Sequence, residues 1–215
     1  REHHPGRYTK STPDLQKYHL KRSIVRDDIE YVYMDHAVSS ANLTLRKHAL
    51  DAFDTIFATG EQMQTEIREM EKVYNLPKKT IVHSGYSLID EMIAAYEKKD
   101  KRKNAVPEIL IAPSWQDHNL MDEGLEELLE ALKGCGYHII VRPHPQYVKH
   151  RAERLSLLEE RFQADEKIEL QTDFSSDKTV FDADVLITDW SGIAYEYAFT
   201  TRKPVLFVNT PMKVM

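Results

Sequence analysis

The sequence holds a single cysteine, Cys135, in 215 residues. One thiol cannot close an internal disulfide, so a disulfide scaffold is excluded and a reducing, cytoplasmic setting is expected. No apolar run approaches the roughly 18 residues of a membrane span, and the first thirty residues lack the apolar core of a signal peptide. There is no HExxH and no paired Cys/His spacing, so no metal site is predicted. Neither a Walker lysine nor GxGxxG occurs, which removes the P-loop and the dinucleotide fingerprint. A basic excess is missing too: 29 basic against 35 acidic side chains give a formal charge of −6. A nucleic-acid partner is therefore not expected.

What is present suffices for a core. At 25.1 kDa and 41% hydrophobic, folding buries roughly 70% of the extended-chain surface. The net charge hides an asymmetry, because residues 1 to 26 carry seven basic and two acidic side chains, a balance of +5, and the remainder carries −11. Such a stretch is either a solvated tail or an element drawn to an anionic membrane surface or polyanionic acceptor.

Beyond an irregular opening through Thr12-Pro13, short β-branched and aromatic runs at Glu30–Asp35, Asp54–Thr59 and Thr80–His83 read as strands. Leu43–Phe53 and Glu61–Tyr74 read as the helices between them. Residues 1–87 are thus predicted as a partial N-terminal α/β domain. Residues 88–106, with a dense charge block from Lys98 to Asn104, are predicted as a linker. Residues 107–215 alternate cleanly: strands are expected at Glu108–Ala112, Tyr137–Val141, Lys167–Leu170, Asp184–Thr188 and Pro204–Val208. The intervening helices are expected at Met121–Lys133, Val148–Phe162, Asp177–Ala183 and Ser191–Thr201, with Gly134 in place to end the first. Five strands so joined predict an α/β fold, a parallel, doubly wound Rossmann-like sheet.

In such a sheet ligands bind beyond the carboxyl ends of the strands. Two of the switches there are distinctive. Thr188-Asp-Trp-Ser-Gly192 turns from strand into helix, so the amides of Ser191, Gly192 and Ile193, the Ser191 hydroxyl and the positive end of the dipole could hold a phosphate. Plain capping by Asp189 or Ser191 is the competing explanation. In Arg142-Pro-His-Pro145 two prolines fix the backbone around an imidazole beside a planar cationic fork, which suits an anion site and equally a rigid turn. Ser114, Trp115, Ser175, Asp189 and Trp190 are candidate lining residues on the same edge. Asp189 is expected to turn away and cap the helix, or else to bind a cation.

Several segments, in order, resemble one family. Tyr33-Met-Asp-His36 with Asp54-Thr-Ile-Phe-Ala58, Ile109-Leu-Ile-Ala-Pro-Ser-Trp115, Val141-Arg-Pro-His-Pro145, and Asp184-Val-Leu-Ile-Thr-Asp-Trp-Ser-Gly192 with Lys203-Pro-Val-Leu-Phe207 are similar to the CDP-glycerol glycerophosphotransferases. That family includes the teichoic acid polymerases and primases. The resemblance runs from about residue 20 to the end of the chain. It implies a GT-B architecture whose C-terminal Rossmann-like domain holds the nucleotide donor.

Carried onto this sequence, the resemblance implies His36 as catalytic base, Arg142 and His144 facing the donor diphosphate, and Ser191 and Gly192 binding phosphate. The chain departs from the family pattern at His36-Ala37, where His-Gly is usual, and at Asp189-Trp190-Ser191-Gly192, where Asp-Tyr-Ser-Ser is more frequent. Typical members have a longer N-terminal domain and further residues at the C-terminal end, so a fragment is implied. The implied activity is transfer of glycerol phosphate, or a related polyol phosphate, from CDP-glycerol to a polyol-phosphate or glycan acceptor in teichoic acid synthesis. No resident cofactor is implied, a divalent cation is left open, and the expected location is the cytoplasm, peripheral to the inner face of the membrane. Two alternatives stay open: a GT-B glycosyltransferase using a CMP- or UDP-sugar for surface polysaccharide, and a non-catalytic nucleotide-binding module.

Overall fold

The computed structural model describes residues 28–45, 47–99, 104–175 and 178–212. The basic stretch 1–26 and residues 100–103 of the charge block lie outside them. The chain divides into two compact units at Ser87/Leu88.

In the N-terminal unit β1 (Val32–Met34), β2 (Thr55–Ala58) and β3 (Thr80–His83) form a parallel sheet in the order β1-β2-β3. Helix α1 (Ala41–Thr44) links the first two strands and α2 (Glu61–Val73) the second two. Met63 and Ile67, one turn apart on α2, pack with Tyr33, Leu50, Phe53, Ile56 and Ala58. The helix predicted over Leu43–Phe53 is reduced to four residues. Leu45 is extended and His48 takes a left-handed conformation, φ 67°, a backbone state that ends helical hydrogen bonding. Turns then bring Leu50 and Phe53 into the core, so the apolar spacing is real although the helix is not. A polar network closes the unit: Glu71 accepts from the Arg68 guanidinium and from the Lys79 amide (both 2.7 Å), while buried Lys79 donates to the carbonyls of Phe53 (2.6 Å) and Asp51 (3.2 Å).

The C-terminal unit opens with α3 (Ser87–Lys98). Part of the predicted linker is therefore helical, and the reason is apolar burial: Met92 inserts among Leu110, Ile140 and Tyr197. Strands β4 (Glu108–Ile111), β5 (His138–Val141), β6 (Ile168–Leu170), β7 (Val185–Thr188) and β8 (Val205–Phe207) follow, all parallel, in the order β6-β5-β4-β7-β8. Successive side chains point to opposite faces. Ile109, Ile111, Ile139, Val141 and Ile187 face one core with α4 (Leu125–Leu132) and α6 (Ala152–Phe162). Leu110, Ala112, Ile140 and Leu186 face the other, with α3, α7 (Lys178–Asp182) and α8 (Ile193–Thr201).

Both faces of the inner strands β4, β5 and β7 are covered, and these strands are near-continuous apolar runs, while edge strands β6 and β8 stay partly exposed. Each fully buried leucine or isoleucine contributes roughly 1.5–3 kcal/mol. The helix predicted over Val148–Phe162 starts earlier, at α5 (Pro145–His150), because proline suits the first helical position. It then breaks at Arg151, φ −130° and ψ 38°. Residues 121–124 are turns instead of helix, and Gly134, φ 79°, follows the end of α4.

Candidate functional site

Strand order reverses about β4 and β7, and there a sheet of this kind opens a crevice. Two side chains pin the loops on either side. The Thr188 hydroxyl donates to the Ala112 carbonyl (2.6 Å), and the buried Asp189 carboxylate accepts the amides of Ser114 (2.7 Å) and Leu120 (2.9 Å). Asp189 thus does not cap α8; its two oxygens fix the loop after β4, where buried amides need acceptors. Helix α8 begins from Gly192 with no side-chain cap. Its ladder opens with the Ala194 amide on the Ser191 carbonyl, which leaves the amides of Ser191, Gly192 and Ile193 ahead of it at the positive end of the helix.

On the next strand, the Arg142 amide donates to the Ile111 carbonyl (2.8 Å) and Pro143 is buried. His144 caps α5: its Nδ1 accepts the Gln146 amide at 3.1 Å. An accepting Nδ1 places the proton of the neutral ring on Nε2, making that atom a donor. Trp115 stacks on the imidazole, ring centroids 6.0 Å apart. The Arg142 guanidinium sits over the Phe174 ring at 5.5 Å, and its Nη1 is enclosed without a hydrogen-bond partner.

Arg142, His144, Ser191 and Gly192 line one cleft of about 360 Å³ at the carboxyl edge of the sheet. Pro113, Phe174, Met92, Val180 and Ile193 form its less polar walls, and Glu196, one turn along α8, adds an acceptor. Cationic donors and open amides beside apolar surface suit an anion attached to an organic group. Glu196 can accept hydrogen bonds from hydroxyls.

The other predicted lining residues stand elsewhere. Ser114 lies beneath the cleft, its amide on Asp189 and its hydroxyl enclosed. Trp115 flanks His144. Ser175 donates its amide and hydroxyl to Asp173 in an exposed turn. The Trp190 indole donates to the Thr210 carbonyl (3.1 Å). Phe174 and Glu196 were not predicted; one lay in a polar loop and the other inside a helix, where residue type signals nothing about a cleft.

In the N-terminal unit His36 follows β1 with its side chain 77% exposed and Nδ1 3.9 Å from buried Asp35. Asp35 accepts the His36 amide (2.7 Å) and the Tyr33 hydroxyl (3.3 Å), and Tyr86 donates to the His36 carbonyl (2.8 Å). Burial raises the Asp35 carboxyl above its ordinary value, against the lowering by the His36 amide, and burial with the Asp35 charge raises the Tyr33 phenol. Among the described residues no group of three or more His, Cys, Asp or Glu side chains could hold a metal, and no helix is long and apolar enough to cross a membrane.

A doubly wound sheet with a cleft at its switch point, together with a second parallel α/β unit in the same chain, defines a GT-B-like, Rossmann-like class of fold. The model of the CDP-glycerol:poly(glycerophosphate) glycerophosphotransferase family matches residues 13–213, and the chain belongs to that family. It is 24% identical to the teichoic acid glycerol-phosphate primase of Bacillus subtilis (strain 168) over 226 residues, covering 95% of this chain and 52% of that protein. Among solved structures, the Methanocaldococcus jannaschii UDP-GlcNAc 2-epimerase in complex with UDP-GlcNAc and UDP has a TM-score of 0.61 at 16% identity, covering 85% of this chain and 54% of that one. A variant of the wall teichoic acid polymerase TagF soaked with CDPG has a TM-score of 0.50 at 16% identity, covering 85% and 49%. At that identity the likeness concerns the fold. The chain spans about half the length of these relatives.

Proposed function

We propose that this chain carries the donor site of a transferase that moves glycerol phosphate from CDP-glycerol to an acceptor hydroxyl in teichoic acid synthesis. The observation that carries the reading is the convergence of Arg142, His144 and the open start of α8 on one cleft, in a member of the glycerophosphotransferase family. The acceptor hydroxyl attacks the β-phosphorus, the bond from that phosphorus to the bridging oxygen breaks, and CMP leaves. Negative charge grows on the bridging and α-phosphate oxygens. Arg142, the His144 Nε2–H and the helix amides are donors suited to that charge.

His36 is the proposed base that takes the acceptor's proton. An imidazole is a side chain suited to proton transfer near neutral pH, and an exposed ring after a strand can reach a hydroxyl. The donor is a substrate, and no resident cofactor is proposed. The basic balance of residues 1–26 supports peripheral attachment to anionic lipid at the inner face of the membrane. Flotation with and without phosphatidylglycerol vesicles tests that attachment; equal recovery in both would overturn it.

Calorimetry tests the donor site. CDP-glycerol and CDP are expected to bind the chain, and UDP-GlcNAc to bind at least tenfold more weakly. A preference for the UDP-sugar would replace this function with glycosyl transfer, and no binding by any nucleotide would remove the site.

A further inference from the structure

Among the described residues Arg142 forms no ion pair, and Asp173 acts on it only through its nearby charge. The Arg142 guanidinium lies over the face of Phe174, and its enclosed Nη1 has no acceptor among the described residues. The loop that delivers the ring is tied down ahead of it: the Gln171 amide donates to the Val141 carbonyl (2.8 Å) and the Gln171 side chain to the Thr179 hydroxyl (2.8 Å). Across the ring the chain turns on itself, the Asp173 carboxylate accepting the Ser175 amide (2.9 Å) and hydroxyl (3.0 Å). Those two bonds hold the Asp173 carboxyl below its ordinary value, with the Arg142 charge adding to the effect.

The chemistry of the partner matters. A carboxylate in the place of Phe174 would hold the guanidinium but would consume its in-plane N–H donors and cancel its charge. A ring face attracts the cation through its quadrupole, perpendicular to those donors, and leaves them unspent. We infer that Phe174 is a positioning residue of the donor site, holding the Arg142 fork ready for an anion while leaving its N–H groups free to bind it. The inference rests on the reading of this cleft as the donor-diphosphate site.

Calorimetric titration of the 215-residue chain with CDP tests it, using Arg142→Ala, Phe174→Leu, Phe174→Tyr and the Arg142→Ala/Phe174→Leu double variant. Phe174→Leu is expected to weaken CDP binding roughly three- to tenfold and to flatten its salt dependence. Phe174→Tyr, which keeps the ring face, is expected to stay within about twofold of wild type. In the Arg142→Ala background, Phe174→Leu is expected to add no further loss. Asp173→Ala opens the turn without touching the ring and also removes a negative charge near Arg142, which alone would favour the anion. An Arg142-dependent loss of about twofold or more, expected even if Phe174→Leu fails to fold, therefore reports the turn.

If Arg142→Ala weakens CDP while neither Phe174→Leu nor Asp173→Ala does, the positioning role falls and the donor site stands. An undiminished Phe174→Leu effect in the Arg142→Ala background likewise overturns it. If Arg142→Ala itself leaves CDP binding unchanged, the donor reading falls and takes this inference with it.

Discussion

The two units use the same strand–helix–strand logic but stabilise it differently. In the C-terminal unit Leu110, Ile111 and Leu186 have no exposed surface, because helices cover both faces of the sheet. In the N-terminal unit the central strand β2 buries Ile56 and Ala58 as fully, whereas its edge strands β1 and β3 bury little besides Tyr33, as edge strands β6 and β8 do in the other sheet. A buried lysine and glutamate, Lys79 and Glu71, close the N-terminal unit through backbone hydrogen bonds. A sheet with two covered faces tolerates loops rich in charge at its edge, since the strands hold without them. The C-terminal unit carries the cleft proposed as the donor site at the edge of its covered sheet, and His36 stands exposed at the end of an edge strand.

Four measurements break or sharpen this contrast. The largest effect is expected from His36→Ala in the whole protein, with kcat lowered by roughly 10² to 10⁴ and CDP-glycerol affinity changed less than about twofold. Steady-state kinetics beside calorimetry separates the two, and near-normal turnover would remove His36 from the chemistry. Next comes stability. Leu110→Ala is expected to cost about 3–5 kcal/mol and Val82→Ala, on half-exposed β3, less than about 1 kcal/mol. Denaturant unfolding read by fluorescence and circular dichroism gives both values, and equal losses would mean that the two sheets are equally buried in solution.

Within the cleft, Arg142→Ala or His144→Ala is expected to cost about 1.5–3 kcal/mol of CDP binding, where a charge-assisted or imidazole donor is lost, against about 1 kcal/mol for Ser191→Ala. The reverse ranking would shift the anion toward the helix start. The smallest effect concerns pH. Because burial raises the Asp35 carboxyl, the folded state keeps a proton that the unfolded state has lost over the window between the ordinary and raised values. Stability of the N-terminal unit then falls as pH rises through that window and levels off above it. Asp35→Asn should abolish the slope in acid-range thermal melts; an unchanged slope would assign it to another group.

Much of the site was legible as types at strand ends. Arg142, His144, Ser191 and Gly192 follow β5 and β7, and the doubly wound rule assigns those ends to one edge. Asp189 was misread because an aspartate before a helix suits a cap by local spacing, whereas its actual acceptor role serves amides 69 and 75 positions away. The Trp190 indole holds a partner that local spacing does not announce, Thr210, the Ser175 hydroxyl bonds Asp173, and neither side chain lines the cleft described above.

By itself the sequence determined the α/β class, the strand positions and the residue types at each switch, because period, apolar runs and proline or glycine punctuation are local properties of a chain. Tertiary structure decided what each polar group does. Met92 became core where a linker was expected, Asp189 a brace for a distant loop, and Phe174 the ring beneath Arg142. Those outcomes depend on partners far apart in the chain, which most buried polar groups take, Arg142 Nη1 and the Ser114 hydroxyl being exceptions among the described residues.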